Sequence, residues 1–255
     1  MLLRAENLGK HFGGVRALQG VDLAFAQGAV HAVIGPNGAG KTTLLNLLSG
    51  VYRPDTGAIF LEARNLAGSA PHQFAAAGIG RTFQNLQVFF NMSALENVMT
   101  GRWRLERAGL AATLARAPSL ARAERACRAA AERLLEEVGL ARWADARADS
   151  LPYGALKRLE IARALAAEPC LLLLDEPAAG LNPSETREID ELIRRIAARG
   201  TTVVLVEHNM KLVMGVAGHV VVLDYGRKLA DGEPRAVSQD PRVIEAYLGS
   251  EACST

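Results

Sequence analysis

The stretch Ala29-Val30-His31-Ala32-Val33-Ile34-Gly35-Pro36-Asn37-Gly38-Ala39-Gly40-Lys41-Thr42-Thr43-Leu44-Leu45-Asn46-Leu47-Leu48-Ser49-Gly50 decides the fold. Its first six residues, apolar except for His31, read as a strand. Leu44, Leu45, Leu47 and Leu48 followed by Gly50 read as a helix closed by a left-handed glycine. Between the two, residues 35–42 match G-x-x-x-x-G-K-[ST] at every specified position. On this chain's composition that pattern would arise by chance about 0.003 times, so it is not an accident of glycine content. Strand, glycine loop and helix in this order make a cradle for phosphate. Glycines let backbone N–H groups converge on phosphate oxygens, and the helix N-terminus adds its positive dipole. Lys41 is placed to reach the β- and γ-phosphates, and Thr42 to offer a hydroxyl to Mg²⁺.

Further along, Leu171-Leu172-Leu173-Leu174-Asp175-Glu176 reads as a strand buried on both faces that delivers two carboxylates to the end of a sheet. Paired with the phosphate loop, Asp175 can hold Mg²⁺ while Glu176 polarises a water for attack on the γ-phosphate. Asn182-Pro183 starts a helix with Ile189, Leu192, Ile193 and Ile196 on its apolar face and Gly200 as its stop. Residues 201–206 form another buried strand. Strands alternating with helices predict an α/β core with a parallel sheet. Between 101 and 150 the composition shifts to Ala and Arg, and positions 120, 123, 127, 131, 134 and 138 share one helix face, which predicts a helical subdomain. Ser93 and Glu96 have the spacing of a capping box.

The remaining composition excludes several classes. With 255 residues, 49% hydrophobic and 22% charged, the chain is an ordinary globular protein. Its net charge of +2 comes from arginines interleaved with acids, so no nucleic-acid surface is expected. Cys127, Cys170 and Cys253 follow no metal-ligand spacing and fit a reducing compartment. The start, Met-Leu-Leu-Arg-Ala-Glu, has charges where a signal peptide needs apolar residues, and no run of 18 apolar residues occurs, so any membrane role is expected to come through a partner.

With these motifs in order, the chain resembles the ABC transporter ATPase family from about residue 2 to 249. The resemblance implies ATP and Mg²⁺ as cofactors, with nucleotide contacts from Phe12, Gly35, Pro36, Asn37, Gly38, Ala39, Gly40, Lys41, Thr42, Thr43, Tyr153 and Gly154. Gln84 stands at the family's Q-loop position, where it contacts Mg²⁺ or the attacking water, and His208 at that of the switch histidine on the γ-phosphate. Thr42, Gln84 and Asp175 are thus the implied metal set, and Glu176, His208 and Gln84 the catalytic one. Phe12 stands where an aromatic ring stacks on adenine. The family's LSGGQ signature aligns with Leu151-Pro152-Tyr153-Gly154-Ala155, where Pro152 replaces a serine and Ala155 a glutamine. The helix expected to begin near Ala155 keeps its dipole for an anion. A lost hydroxyl contact costs about 1 kcal/mol, which implies weaker or asymmetric sandwiching of ATP. Asn182 replaces the usual D-loop aspartate at the interface between cassettes.

The implied architecture is a P-loop ABC cassette with a mainly parallel core sheet, an N-terminal antiparallel β subdomain and a helical subdomain. The core is expected at about 1–85 and 166–249, the helical part at about 86–165 and a flexible tail at 250–255. The runs 84–98, 175–186 and 244–249 are similar to the longer ATPase subunit of bacterial branched-chain amino acid importers, in which Asn182 and the signature tyrosine are usual. That implies a second cassette as partner, identical or a shorter companion. It also implies two integral membrane permeases, a periplasmic substrate-binding protein, and a place on the cytoplasmic face of the cell membrane. Relatives of this architecture carry urea or short amides. Soluble ABC ATPases of DNA repair and translation are disfavoured by the single cassette and the lack of sustained heptads or a basic stripe. A non-hydrolysing regulatory subunit is disfavoured because Lys41, Thr42, Gln84, Asp175, Glu176 and His208 are all present.

Overall fold

The computed structural model describes residues 1–105 and 118–251 and divides into two compact units. One joins Met1–Arg81 to the chain from Cys170 onward, and the other is Thr82–Pro169. The chain therefore passes between units at 81/82 and 169/170, four residues from the divisions expected near 85/86 and 165/166.

In the first unit, β1 (Leu3–Phe12), β2 (Val15–Phe25), β4 (Thr56–Leu61) and β5 (Arg64–Asn65) form an antiparallel sheet in the order β2-β1-β4-β5. Leu3 and Ala5 are buried while Arg4 and Glu6 are exposed, the alternation of a sheet with one wet face. The second sheet holds β3 (Val30–Ile34), β6 (Ile79–Arg81), β7 (Leu171–Asp175), β8 (Thr202–Val206), β9 (His219–Asp224) and β10 (Arg227–Gly232) in the order β10-β9-β3-β8-β7-β6. All its pairings are parallel except β9 with β10. Every residue of β3, β7 and β8 is buried, as parallel strands covered on both faces must be. One core joins the sheets, with Leu3, Leu8, Phe25 and Ile59 from one and Leu171, Leu173, Val204, Val206 and Leu223 from the other. Helix α1 (Lys41–Leu48) adds Leu44, Leu45, Leu47 and Leu48.

Helices of this unit also include α2 (Pro71–Ala77) and, in the stretch beyond Cys170, Pro183–Ala198. The latter begins at a reciprocal cap: Asn182 Oδ1 accepts from the amides of Ser184 at 2.9 Å and Glu185 at 3.0 Å, and Glu185 Oε2 accepts from the Asn182 amide at 3.0 Å. Asn182→Ala removes one side of this exchange and is expected to cost about 1 kcal/mol, lowering the melting temperature by roughly 2–4 °C. An unchanged thermal midpoint would show that this cap carries no stability. The final helix, Pro241–Glu251, runs two residues into the stretch expected as a tail, and 252–255, including Cys253, lie outside the described residues.

The second unit is helical: α3 (Ala94–Gly101), α4 (Pro118–Glu137) and α5 (Tyr153–Leu165). Helix α3 opens on the expected capping box, with Ser93 Oγ accepting from the Glu96 amide and Glu96 Oε2 from the Ser93 amide. Helix α4 buries Cys127, Ala130, Ala131 and Leu135 on one face. The part of the Ala/Arg-rich stretch at 106–117 lies outside the described residues. Helix α5 starts at Tyr153, two residues earlier than expected near Ala155. Pro152 takes the N-cap, where a residue with fixed φ and no N–H is harmless, and its carbonyl accepts from Ala155 and Leu156.

Candidate functional site

The phosphate loop links the buried strand β3 to α1. Gly38 has φ +78° and nothing within 4 Å of where a Cβ would stand, so the loop's outer side is open to a ligand. Gly40, at the helix N-cap, has φ +102°, and a Cβ there would lie 2.6 Å from the Ala17 carbonyl oxygen. Asn37 and Thr42 are exposed and Thr43 half-buried, whereas Pro36, Ala39 and Lys41 are buried. The Lys41 ammonium donates to the carbonyls of Gly35 at 2.7 Å and Pro36 at 2.8 Å. Burial pulls its pKa down, and the negative charges of Glu176 and Asp175 oppose that. A desolvated cation hydrogen-bonded to the carbonyls of its own loop is ready to exchange them for phosphate oxygens.

Strand β7 brings Asp175 and Glu176 to its carboxyl end beside this loop. Asp175 is buried, and its Oδ2 lies 3.1 Å from Arg81 Nη2. Burial lowers the pKa of Arg81, with the Asp175 charge opposing. Glu176 has φ +48°, a left-handed conformation that costs a non-glycine residue energy and is concentrated at functional sites. Its amide donates to the Val206 carbonyl at 2.9 Å, which ties this bend to the end of β8. His208 Nε2 is 3.1 Å from Glu176 Oε1. The two residues singled out in separate stretches of sequence are therefore a contact pair.

Two residues around this pair escaped the sequence reading. Glu207, buried at 4% exposure, accepts from the amides of Ala178 at 2.9 Å, His208 at 3.0 Å and Asn209 at 3.2 Å. It thereby clamps the loop after Glu176 to the segment that carries His208. The signal that could have found it is an acid that follows a buried, mostly apolar strand and stands next to a candidate catalytic histidine. Arg81 is the other, a lone cation ending a three-residue strand.

The chain's donor set also suits the metal expected with nucleotide. Among the described residues no group of three or more His, Cys, Asp or Glu could hold an ion unaided. One buried carboxylate, Asp175, and one hydroxyl, Thr42, beside a phosphate cradle are what Mg²⁺ takes when phosphates and waters complete its shell.

Gln84, Tyr153 and Gly154 belong to the second unit. Gln84 is exposed in a bend, and the preceding Phe83 amide donates to Glu160 Oε1 at 3.1 Å. Burial raises the pKa of Glu160, against the amides of Phe83 and Gln87 and the nearby Lys157 and Arg163. Tyr153 and Gly154 occupy the first turn of α5, Tyr153 half exposed with Lys157 Nζ 5.9 Å from its ring centre. Phe12 ends β1 in the first unit, its ring packed edge-on against Tyr52 at 5.2 Å and 43% exposed. Phe89 and Phe90 in the second unit are 45% and 46% exposed. Their loop is nevertheless pinned: Asn97, fully buried, accepts from the Phe89 amide at 2.8 Å and donates to the carbonyls of Phe89 and Ser93 at 3.0 Å each.

A family model described as "ABC transporter" matches residues 18–179, and one described as "Branched-chain amino acid ATP-binding cassette transporter" matches residues 227–253. The chain is 43% identical, over 97% of its length and 98% of the relative's, to the high-affinity branched-chain amino acid transport ATP-binding protein BraF of Pseudomonas aeruginosa. The same figures hold for the corresponding protein LivG of Escherichia coli K12. Among solved structures it is similar to the ADP conformation of an ATP-binding cassette of an ABC transporter, with a TM-score of 0.84 and 32% identity over 97% of this chain and 98% of that one.

Proposed function

Since the chain belongs to the ABC transporter ATP-binding family, we propose that it hydrolyses ATP to drive uptake of branched-chain or other hydrophobic amino acids through separate membrane permeases. The observation that carries the importer reading is the similarity to BraF and LivG over nearly the whole chain, together with the match to the branched-chain family model at 227–253.

In this reading the phosphate loop and Lys41 hold the β- and γ-phosphates, Glu176 orients and polarises the attacking water, and His208 reaches the γ-phosphate from its contact with Glu176. Bound Mg²⁺ would supply charge neutralisation at the phosphates, with Thr42, Asp175 and Gln84 as its protein ligands. Phe12 offers its ring to adenine. Tyr153, Gly154 and the first turn of α5 serve the nucleotide of a second cassette. Pro152 brings no side-chain oxygen to that turn, which supports weaker or asymmetric sandwiching.

The proposed partners are a second cassette, identical or a shorter companion, two integral membrane permeases, and indirectly a periplasmic substrate-binding protein. No described helix is long and apolar enough to cross a membrane, so attachment to the cytoplasmic face of the cell membrane is proposed to run through the permeases. The test is to tag the chain in its host, purify it from detergent-solubilised membranes and identify what accompanies it by mass spectrometry. Two permeases and a second cassette are expected. Ribosomal or DNA-repair proteins without any membrane protein would overturn the importer reading.

A further inference from the structure

Arg81 is a cation at the nucleotide site that the chemistry above does not use. Its Nη1 donates to Asn46 Oδ1 at 2.7 Å and to Ser49 Oγ at 2.8 Å, and its Nη2 to Asp175 Oδ2 at 3.1 Å. The side chains of Arg81 and Asp175 are only 7% and 3% exposed. A guanidinium is a rigid planar fork, so one side chain can fix several neighbours at once. Here it joins strand β6 to the last turns of α1, the helix that begins with Lys41 and Thr42, and to the carboxylate that ends β7. The sheet does not require this link, because β6 is already paired with β7 through Ile79, Gly80 and Arg81. A buried ion pair is also weak evidence of stabilisation by itself. What the fork adds is a fixed orientation of the Asp175 carboxylate relative to the helix that carries Thr42.

We propose that Arg81 is a positioning residue for the metal, holding Asp175 in the rotamer from which it meets nucleotide-bound Mg²⁺. This rests on the reading of Asp175 as the metal's carboxylate. Two effects of the guanidinium oppose each other. Its charge weakens the carboxylate's pull on a cation, while its hydrogen bonds orient the ligand. Partners that orient metal ligands are commonly worth roughly 10- to 100-fold in affinity, and we take orientation as the dominant effect at Arg81 because the fork holds three neighbours at once.

The test titrates Mn²⁺, followed by electron paramagnetic resonance, into the full chain saturated with ADP. Arg81→Gln is expected to weaken Mn²⁺ binding roughly 10- to 100-fold while metal-free ADP binding is unchanged. Arg81→Lys, which keeps the charge but not the fork, is expected to fall between Arg81→Gln and the unaltered chain. A folded Arg81→Gln protein with equal or tighter Mn²⁺ binding would overturn the proposal, and a fall in melting temperature alone would mark a purely structural pair. Asp175→Asn separates the two readings: if it leaves Mn²⁺ affinity intact, the assignment of Asp175 fails, whereas loss there with no loss in Arg81→Gln refutes only the role of Arg81. Should Arg81→Gln not fold, the double variant Asn46→Ala, Ser49→Ala removes the two acceptors through which the fork holds α1. It is expected to weaken Mn²⁺ several-fold, and unchanged affinity would be equally decisive against the proposal.

Discussion

Glu176→Gln is expected to leave nucleotide bound and to slow hydrolysis roughly 100- to 10,000-fold, the range in which a positioned general base contributes. The amide has nearly the same size and can still meet His208 across the 3.1 Å contact, so the bend at φ +48° should survive. Lost is the negative charge that polarises water. The same charge helps to hold the Lys41 ammonium against desolvation, but Asp175 remains to do so, and nucleotide affinity is expected to change little. ATP turnover and fluorescent-nucleotide binding, measured on the same preparation, check both halves. Unchanged turnover would remove Glu176 from its assigned role, and lost binding would make it a structural rather than a chemical residue.

Phe89 and Phe90 are read as helping to form a groove for a cytoplasmic helix of the proposed permeases, so replacing both by Asp is expected to abolish co-purification with them while ATP binding persists. Two adjacent aromatic side chains, each nearly half exposed, sit on a loop whose backbone is held by the buried Asn97 and by the capped start of α3. The rings are thus presented by a rigid frame, and Arg163 lies 5.4 Å from the centre of the Phe89 ring. Losing an aromatic hot spot that lines such a groove costs about 2 kcal/mol or more, roughly thirtyfold or more in affinity, and a carboxylate in its place adds the cost of burying a charge. Because the substitutions are on the surface, the second unit should still fold. Retained assembly with the permeases would show that these rings dock elsewhere or not at all.

The sequence was most legible where structure is local. The apolar strand, the glycine loop and the leucines of α1 each announce themselves within a few residues, as does the cap at Asn182, and the structure has all of them. The Leu171–Asp175 strand was readable because a strand covered on both faces has no polar alternation to hide it. Illegible were the polar groups whose partners lie far off in sequence. Arg81 meets Asp175 across 94 positions, and Phe83 meets Glu160 across 77. Nothing near Arg81 distinguishes it from the many surface arginines of this chain. Glu207 was hidden differently: its partners are backbone amides, so only its place after a buried strand and beside His208 marks it. The early start of α5 was missed because proline at a helix N-cap looks like a break when only side chains are counted.

The cap at Asn182 also determines what this residue can say to a neighbouring molecule. Its Oδ1 takes hydrogen bonds from the Ser184 amide, the Glu185 amide and the Ser184 hydroxyl. Backbone N–H groups can only donate, so the amide orientation is settled, and the oxygen has no acceptor capacity left. The side chain turned to solvent is therefore a neutral pair of donors. An aspartate in its place would cap the helix equally well yet carry a charge and no donor. If this surface meets a second cassette, the facing chain must bring an acceptor.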